Sequence, residues 1–180
     1  AGEAFDKVAR MMKLGYPGGP AIAAEAAKFK NLKIESLKIR LPRPMISSKD
    51  YNFSFSGLKT AVLYALRDLP KGTRMTSVIP AMAKAFQDAV VDVPVSKTMR
   101  AAKEYGAKTI AVGGGVSANH LLRERLSQEV KKQLPNAKLF LPHPSLTGDN
   151  ALMIAIAAVL DGKKKAPNII GAEANLRLEN

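Results

Sequence analysis

Three consecutive glycines, Gly113, Gly114 and Gly115, stand between a short apolar run (Thr109 to Val112) and an amphipathic stretch carrying Leu121, Leu122 and Leu126. A strand that delivers a glycine turn into a helix N-terminus suits a phosphate or a nucleotide. Glycine lets a ligand approach the backbone, and the helix end offers free N–H groups and partial positive charge. The same turn is served equally well by glycine for its dihedral freedom alone. A second place of this kind is Gly18-Gly19-Pro20, where glycine backbone again opens a predicted helix. One helix earlier, Asp6 can reach the same pocket and accept hydrogen bonds from a sugar; a solvated helix carboxylate is the plain alternative. Asp149 begins another apolar helix, either as its N-cap or as a carboxylate aimed from the helix end into the cleft of the glycine turn. Lys59 lies in the first turn of a predicted helix, against the helix dipole. It marks either a nearby anion or an exposed lysine without a role.

The elements that must position these groups follow from periodicity. Phe5, Val8, Ala9 and Met12 recur at helical spacing between Gly2 and Leu14, with Gly15 as the expected C-cap and Tyr16-Pro17 as the stop. Pro20 suits the first position of the next helix. From Lys28 to Ser56 the chain turns basic, with Ile34, Leu37, Ile39 and Leu41 at mixed spacing, which predicts an extended or partly helical surface segment; Pro42 and Pro44 mark an edge. Asn52 to Ser56 alternates polar and aromatic residues and reads as a half-buried strand, after which Ser56 caps a helix from Gly57 to about Leu69. Arg40 and Arg43 beside Phe53 and Phe55 read as a core strand flanked by solvated charges in preference to an RNA surface. A long helix is predicted from Thr76 to Tyr105, with Val78, Ile79, Met82, Phe86, Val90 and Val93 as its buried stripe and Gly106 as its end. Pro94 should kink or split it near Val90. A short strand at Lys138 to Leu141, a loop from Pro142 to Gly148, an apolar helix from Asp149 through Leu160 and a basic tail after Gly162 complete the chain.

Composition narrows the classes. The 180 residues suffice for one domain with a core or one lobe of a larger protein. No apolar run is long enough to span a bilayer and no signal-peptide pattern is present. The chain has no cysteine, which excludes a disulfide frame and thiolate metal sites and fits a reducing cytoplasm. A net charge of +13 fits a polyanionic partner. The chain opens on Ala1 within a predicted helix, so the expectation is a piece of a longer polypeptide.

Five stretches, in order, carry a family resemblance: GEAFDKVARMMKLGYPGGP, NFSFSGLKTA, AFQDAVVD, GGGVSANHLLRERL and TGDNALMIA. Together they resemble the TsaD family, the tRNA N6-adenosine threonylcarbamoyltransferases, formerly described as O-sialoglycoprotein endopeptidases or glycoproteases. The resemblance implies an α/β, actin-like (ASKHA) fold, in which two RNase H-like lobes close on a nucleotide. Residues 1–162 would form most of the C-terminal lobe, helix-rich with a small sheet, and residues 163–180 the basic tail. It implies that Asp6 holds the ribose of an adenylate, that Gly19 approaches it through its backbone, that Asn119 contacts the nucleotide or its acyl group, and that Asp149 is a ligand of one divalent metal, iron or zinc. The implied ligand is threonylcarbamoyl-AMP or an ATP-type nucleotide. The implied partners are tRNA, the N-terminal lobe and the family's accessory proteins, with no membrane. The family's histidine pair in an HxxxH motif has no counterpart, since His120 and His143 lie far apart; both read as surface or locally hydrogen-bonded histidines. Ala23 stands where many members carry an acidic ribose-binding residue, and Glu25 would face elsewhere on the helix.

Three other readings compete. A dinucleotide oxidoreductase could use Gly113, Gly115 and Ala118 as a G-x-G-x-x-A turn, but it wants an acidic residue after the next strand, and that strand ends at Leu141-Pro142-His143. A zinc peptidase would need a motif such as H-E-x-x-H, which is absent. An isolated nucleotide- or partner-binding lobe without catalysis is the remaining alternative.

Overall fold

The computed structural model describes residues 1–29 and 39–161. The sequence-predicted surface segment around Ile34 and Leu37, and the basic tail after Gly162, lie outside the described residues. The chain divides into two compact units, Ala1–Gly148 and Asp149–Asn180. The larger is built from α1 (Gly2–Met11), α2 (Gly18–Lys28), α3 (Ser56–Arg67), α4 (Met75–Glu104), β1 (Thr109–Ala111), α5 (His120–Gln133) and β2 (Lys138–Phe140). The smaller contains α6 (Ala151–Asp161). This is a helix-rich α/β chain whose described strands form one parallel pair, Thr109 opposite Lys138 and Ala111 opposite Phe140, joined through α5.

Helix α4 is the spine. Its buried residues run right round its circumference, from Val78 through Phe86 and Val93 to Ala102, so it is packed on all sides instead of carrying one stripe. Its first half packs on α1, α2 and α3 through Phe5, Val8, Ile22, Leu58, Val62, Met82 and Phe86; the Phe5 and Phe86 rings meet edge to face at 5.2 Å. Its second half meets α5 and the sheet: Val91 and Val95 with Leu122 and Leu126, then Met99 and Ala102 with Ile110 and Val130. Pro94 does not split α4, and Pro80 lies inside it as well. A mid-helix proline costs about 3 kcal/mol; burial of Val90, Val91, Val93 and Val95 around it, at roughly 1.5–3 kcal/mol per large apolar side chain, outweighs that cost.

Several helix ends differ from the sequence expectation. α1 stops at Met11, and the left-handed residue behind it is Lys13 (φ 56°), not Gly15. The Leu14 amide reaches the Ala9 carbonyl and the Lys13 amide reaches that of Arg10, so the two reverse bonds of a Schellman ending hold a lysine where glycine is cheaper. Gly106 (φ 59°) ends α4 as expected, with the Ala107 amide on Ala102. Pro20 is the third residue of α2, not the first. Ser56 is the first residue of α3 and not its cap. In the second unit Asn150 caps α6 through its side chain, accepting from the Met153 amide at 3.0 Å; the cap is thus one residue after Asp149.

Residues 52–55 form no strand. The segment is instead clamped by α4. The Lys97 ammonium, 1% exposed, donates to Ser48 Oγ (2.7 Å), Asn52 O (2.6 Å) and both Asp50 O and Oδ1 (3.2 Å each). Arg100 holds the Ser48 carbonyl at 2.7 Å and also donates to that of Asp50. Carbonyls that a neighbouring strand would satisfy are taken by two cations. Arg43 is likewise spent: it pairs with Asp92 at 2.9 Å, and Asp92 and Asp88 share Arg125 from α5, so Arg43 belongs to a structural ion network. Lys59 finds its anion in Glu3, 3.5 Å away on α1.

Candidate functional site

A cavity of about 640 Å³ opens where the start of α1, the first turn of α2 and the turn before α5 converge. Phe5, Pro20, Ala23, Val116 and Ala118 give it apolar walls, and Asp6, Gly19, Gly115, Asn119 and His120 supply its polar atoms and bare backbone.

Asp6 reaches this cavity because α1 and α2 cross closely. Its Oδ1 accepts the Gly18 amide at 2.8 Å, so a carboxylate on one helix caps the N-terminus of the next and offsets its positive end. The close crossing requires glycine: a Cβ on Gly18 would sit 2.6 Å from both Asp6 Cα and the Phe5 carbonyl. Gly19, the next residue, has no such neighbour. As the second residue of α2 its amide has no intrahelical acceptor, which leaves a donor without a helical partner on a residue that lines the cavity.

The opposite wall is the glycine turn. Gly114 adopts φ 83°, a conformation that strains any residue with a side chain. A single 3-10 turn, Gly115–Ala118, follows before α5 begins. The glycines therefore do not lead directly into the helix N-terminus, as the sequence suggested. Ser117, buried, closes the turn by donating its hydroxyl to the Gly114 carbonyl at 2.7 Å, and Arg123 ties the Ser117 carbonyl (2.8 Å) to that of Pro142 (2.6 Å). Asn119 is the N-cap of α5, its Oδ1 accepting the Leu122 amide at 3.1 Å. Its Nδ2 donates to Gln87 Oε1 on α4 at 3.2 Å.

Of the residues singled out from sequence, Asp6, Gly19, Gly115 and Asn119 line one cavity. Gly113 and Gly114 shape the turn behind it. Asp149 falls in the second unit. Ala23 lines the cavity, and Glu25 turns away to pair with Lys28 at 2.5 Å, so no α2 carboxylate enters. Among the described residues no group of three or more His, Asp or Glu could hold a metal. His143 is engaged locally with Ser145, its Nδ1 2.7 Å from the hydroxyl, and His120 is almost wholly exposed beside Glu124. A complete metal centre thus does not fit the described residues. Gln87 was given no role from the sequence: its signal was membership of the AFQDAVVD stretch, and only the structure shows it as a buried polar residue beside Phe86.

The fold and the cavity define a helix-rich α/β protein with a largely apolar cavity between a helix N-terminus and a glycine turn. The model of the TsaD family, tRNA N6-adenosine threonylcarbamoyltransferase, matches residues 1–156, and the chain belongs to that family. Proteins named tRNA N6-adenosine threonylcarbamoyltransferase are similar to it in Thermotoga neapolitana (47% identical over 178 residues, 98% of this chain and 51% of the relative), in Ralstonia pickettii (47% over 162 residues, 89% and 45%) and in Listeria innocua (46% over 167 residues, 91% and 46%). The chain spans about half the length of the curated relatives it matches. No helix among the described residues is long and apolar enough to cross a membrane.

Proposed function

We propose that these residues form the nucleotide side of a cytoplasmic tRNA-modifying transferase, in an actin-like lobe, residues 1–162, that closes against a second lobe. The reaction moves a threonylcarbamoyl group from threonylcarbamoyl-AMP to N6 of the adenosine 3′ of the anticodon. N6 attacks the carbamoyl carbonyl, the new N–C bond forms, the bond from that carbon to the phosphate oxygen breaks, and AMP leaves as N6 loses a proton. The observation that carries the reading is the convergence of Asp6, Gly19 and Asn119 on one cavity.

Each has work to do there. The Asp6 carboxylate, with Oδ1 engaged by Gly18, presents its other oxygen as an acceptor for ribose hydroxyls. The Gly19 amide, left without a helical partner beside the Asp6 cap, is a donor for a phosphate oxygen. Phe5, Val116 and Pro20 offer apolar surface for the base. Ala23 supplies only a methyl where the family resemblance expects an acid, so ribose recognition falls on Asp6. A divalent metal, iron or zinc, would take Asp149 as one ligand and draw the others from outside these residues; its chemistry when bound is Lewis-acid polarisation. Partners under this reading are tRNA, the complementary lobe and the accessory proteins of the modification machinery.

Calorimetry with AMP tests the proposal on the 180-residue chain. AMP should bind, and Asn119→Ala should weaken it by about tenfold, the worth of a hydrogen bond of roughly 1.4 kcal/mol. The same chain assayed alone with tRNA should transfer no threonylcarbamoyl group. An isolated partner-binding module would show no AMP affinity, or an affinity indifferent to Asn119; turnover by the 180 residues alone would overturn the two-lobe requirement.

A further inference from the structure

The Asn119 side chain has its two faces fixed by different elements, and this decides what the cavity can recognise. Its Oδ1 must accept, because the group opposite is the Leu122 backbone amide at 3.1 Å. Its Nδ2 is therefore the end turned toward α4, where it meets Gln87 Oε1 at 3.2 Å. A reversed amide would set a nitrogen against the Leu122 N–H and lose the cap, so the backbone amide fixes the orientation and Gln87 turns its acceptor oxygen to match. Gln87 is only 7% exposed and lies behind Asn119, outside the cavity lining. An amide nitrogen carries two hydrogens and Gln87 takes one, so the other is the group offered to the cavity. The acceptor oxygen is the end turned toward α5, where it holds the Leu122 amide.

We propose that Gln87 is a positioning residue that holds the Asn119 amide so that its second N–H is presented to the cavity as a hydrogen-bond donor. The proposal rests on the reading of the cavity as a nucleotide pocket. It assigns a polarity to the two walls: Asp6 accepts, while Gly19 and Asn119 donate. The ligand group seated at Asn119 is consequently an acceptor, a phosphate or carbonyl oxygen, whereas hydroxyl hydrogens belong at the Asp6 wall. Removing the acceptor on Gln87 leaves the Asn119 amide held by the Leu122 bond alone and its part-buried N–H without a partner.

The test uses the 180-residue chain, with Gln87→Met and Gln87→Leu as two acceptor-free variants and Gln87→Glu as the variant that keeps an acceptor. Side-chain amide NMR without ligand comes first. One Asn119 amide hydrogen should be protected from exchange in the unsubstituted chain and in Gln87→Glu, and both should exchange freely in the acceptor-free variants. A hydrogen that stays protected in whichever acceptor-free variant folds overturns the proposal. AMP titration comes second. Gln87→Met should weaken AMP about five- to tenfold, yet by less than about twofold in an Asn119→Ala background, because the effect passes through Asn119. Equal losses in both backgrounds would show a general packing role and overturn the proposal. If the unsubstituted chain binds no AMP, the nucleotide reading falls, and the exchange experiment alone decides whether Gln87 locks the amide.

Discussion

At the scale of single residues, the site depends on two adjacent glycines that do different things. Gly18 is where two helices touch: a methyl there would lie 2.6 Å from the Asp6 Cα and the Phe5 carbonyl, neither of which can move without shifting α1. Gly18→Ala should therefore destabilise the chain by about 1–3 kcal/mol, the cost of overpacking. Gly19→Ala meets nothing within 4 Å and should be neutral or gain up to about 1 kcal/mol from helix propensity. Denaturant melts of the two variants check this, and equal costs would mean that the α1–α2 crossing does not set the requirement. The sequence showed both glycines and Asp6 as candidates for one pocket, because residue type and local order are enough for that. It did not show that Asp6 already caps α2 through Gly18, since that bond joins residues twelve apart across two helices. Gln87 was invisible for a related reason: periodicity marks which face is buried, and it says nothing about a polar side chain on that face until its partner is known.

At the scale of elements, segment 45–53 is held to α4 by charge. Asp50 is the carboxylate of that clamp. The Ser48 hydroxyl, then Lys97, hydrogen-bond to it and hold its pKa below the ordinary 3.8. Because the folded value lies below the unfolded one, the carboxylate's contribution to the clamp is fully present above about pH 3.8 and is lost as the pH falls through the folded value, while the bonds to backbone carbonyls remain. The protection of the Asn52 amide against exchange, relative to its intrinsic rate at each pH, should fall in that acid window, since its N–H donates to Asp50 Oδ1 at 3.2 Å. Asp50→Asn should flatten this pH dependence; an unchanged profile would assign the acid response to another group. This clamp also explains what the sequence concealed. The alternation in Asn52 to Ser56 has the period of a strand, but a strand also needs an edge to pair with, and here Lys97 takes the Asn52 carbonyl while Lys97 and Arg100 hold those of Ser48 and Asp50 just before it. Helices with one apolar stripe, such as α1, were legible from spacing alone. For α4 the six-residue stripe understated a helix buried on every side, because long-range packing by α2 and α5 is not written in its local period.

At the scale of the whole molecule, charge is the property that local structure does not absorb. The net charge is +13, and although Arg43, Lys97, Arg100 and Arg125 are engaged internally, others are not. Arg10 and Lys13 lie exposed, three residues apart, on and just beyond α1, the helix that contributes Gly2, Phe5 and Asp6 to the cavity. For the proposed transferase an RNA phosphate backbone must come near this cavity, and exposed cations on and just beyond the helix that lines it are where counterions would be released. Binding of tRNA should then weaken steeply with salt, and Arg10→Gln with Lys13→Gln should reduce the slope of log K against log salt by about 1.4–1.8, at roughly 0.7–0.9 for each phosphate that is no longer neutralised. AMP affinity should be almost unchanged in the same double variant, because neither side chain lines the cavity. Filter binding of tRNA across a salt series, alongside AMP calorimetry, separates the two. A slope that does not change would place the RNA on another face, and a parallel loss of AMP affinity would mean that these cations act on the cavity itself.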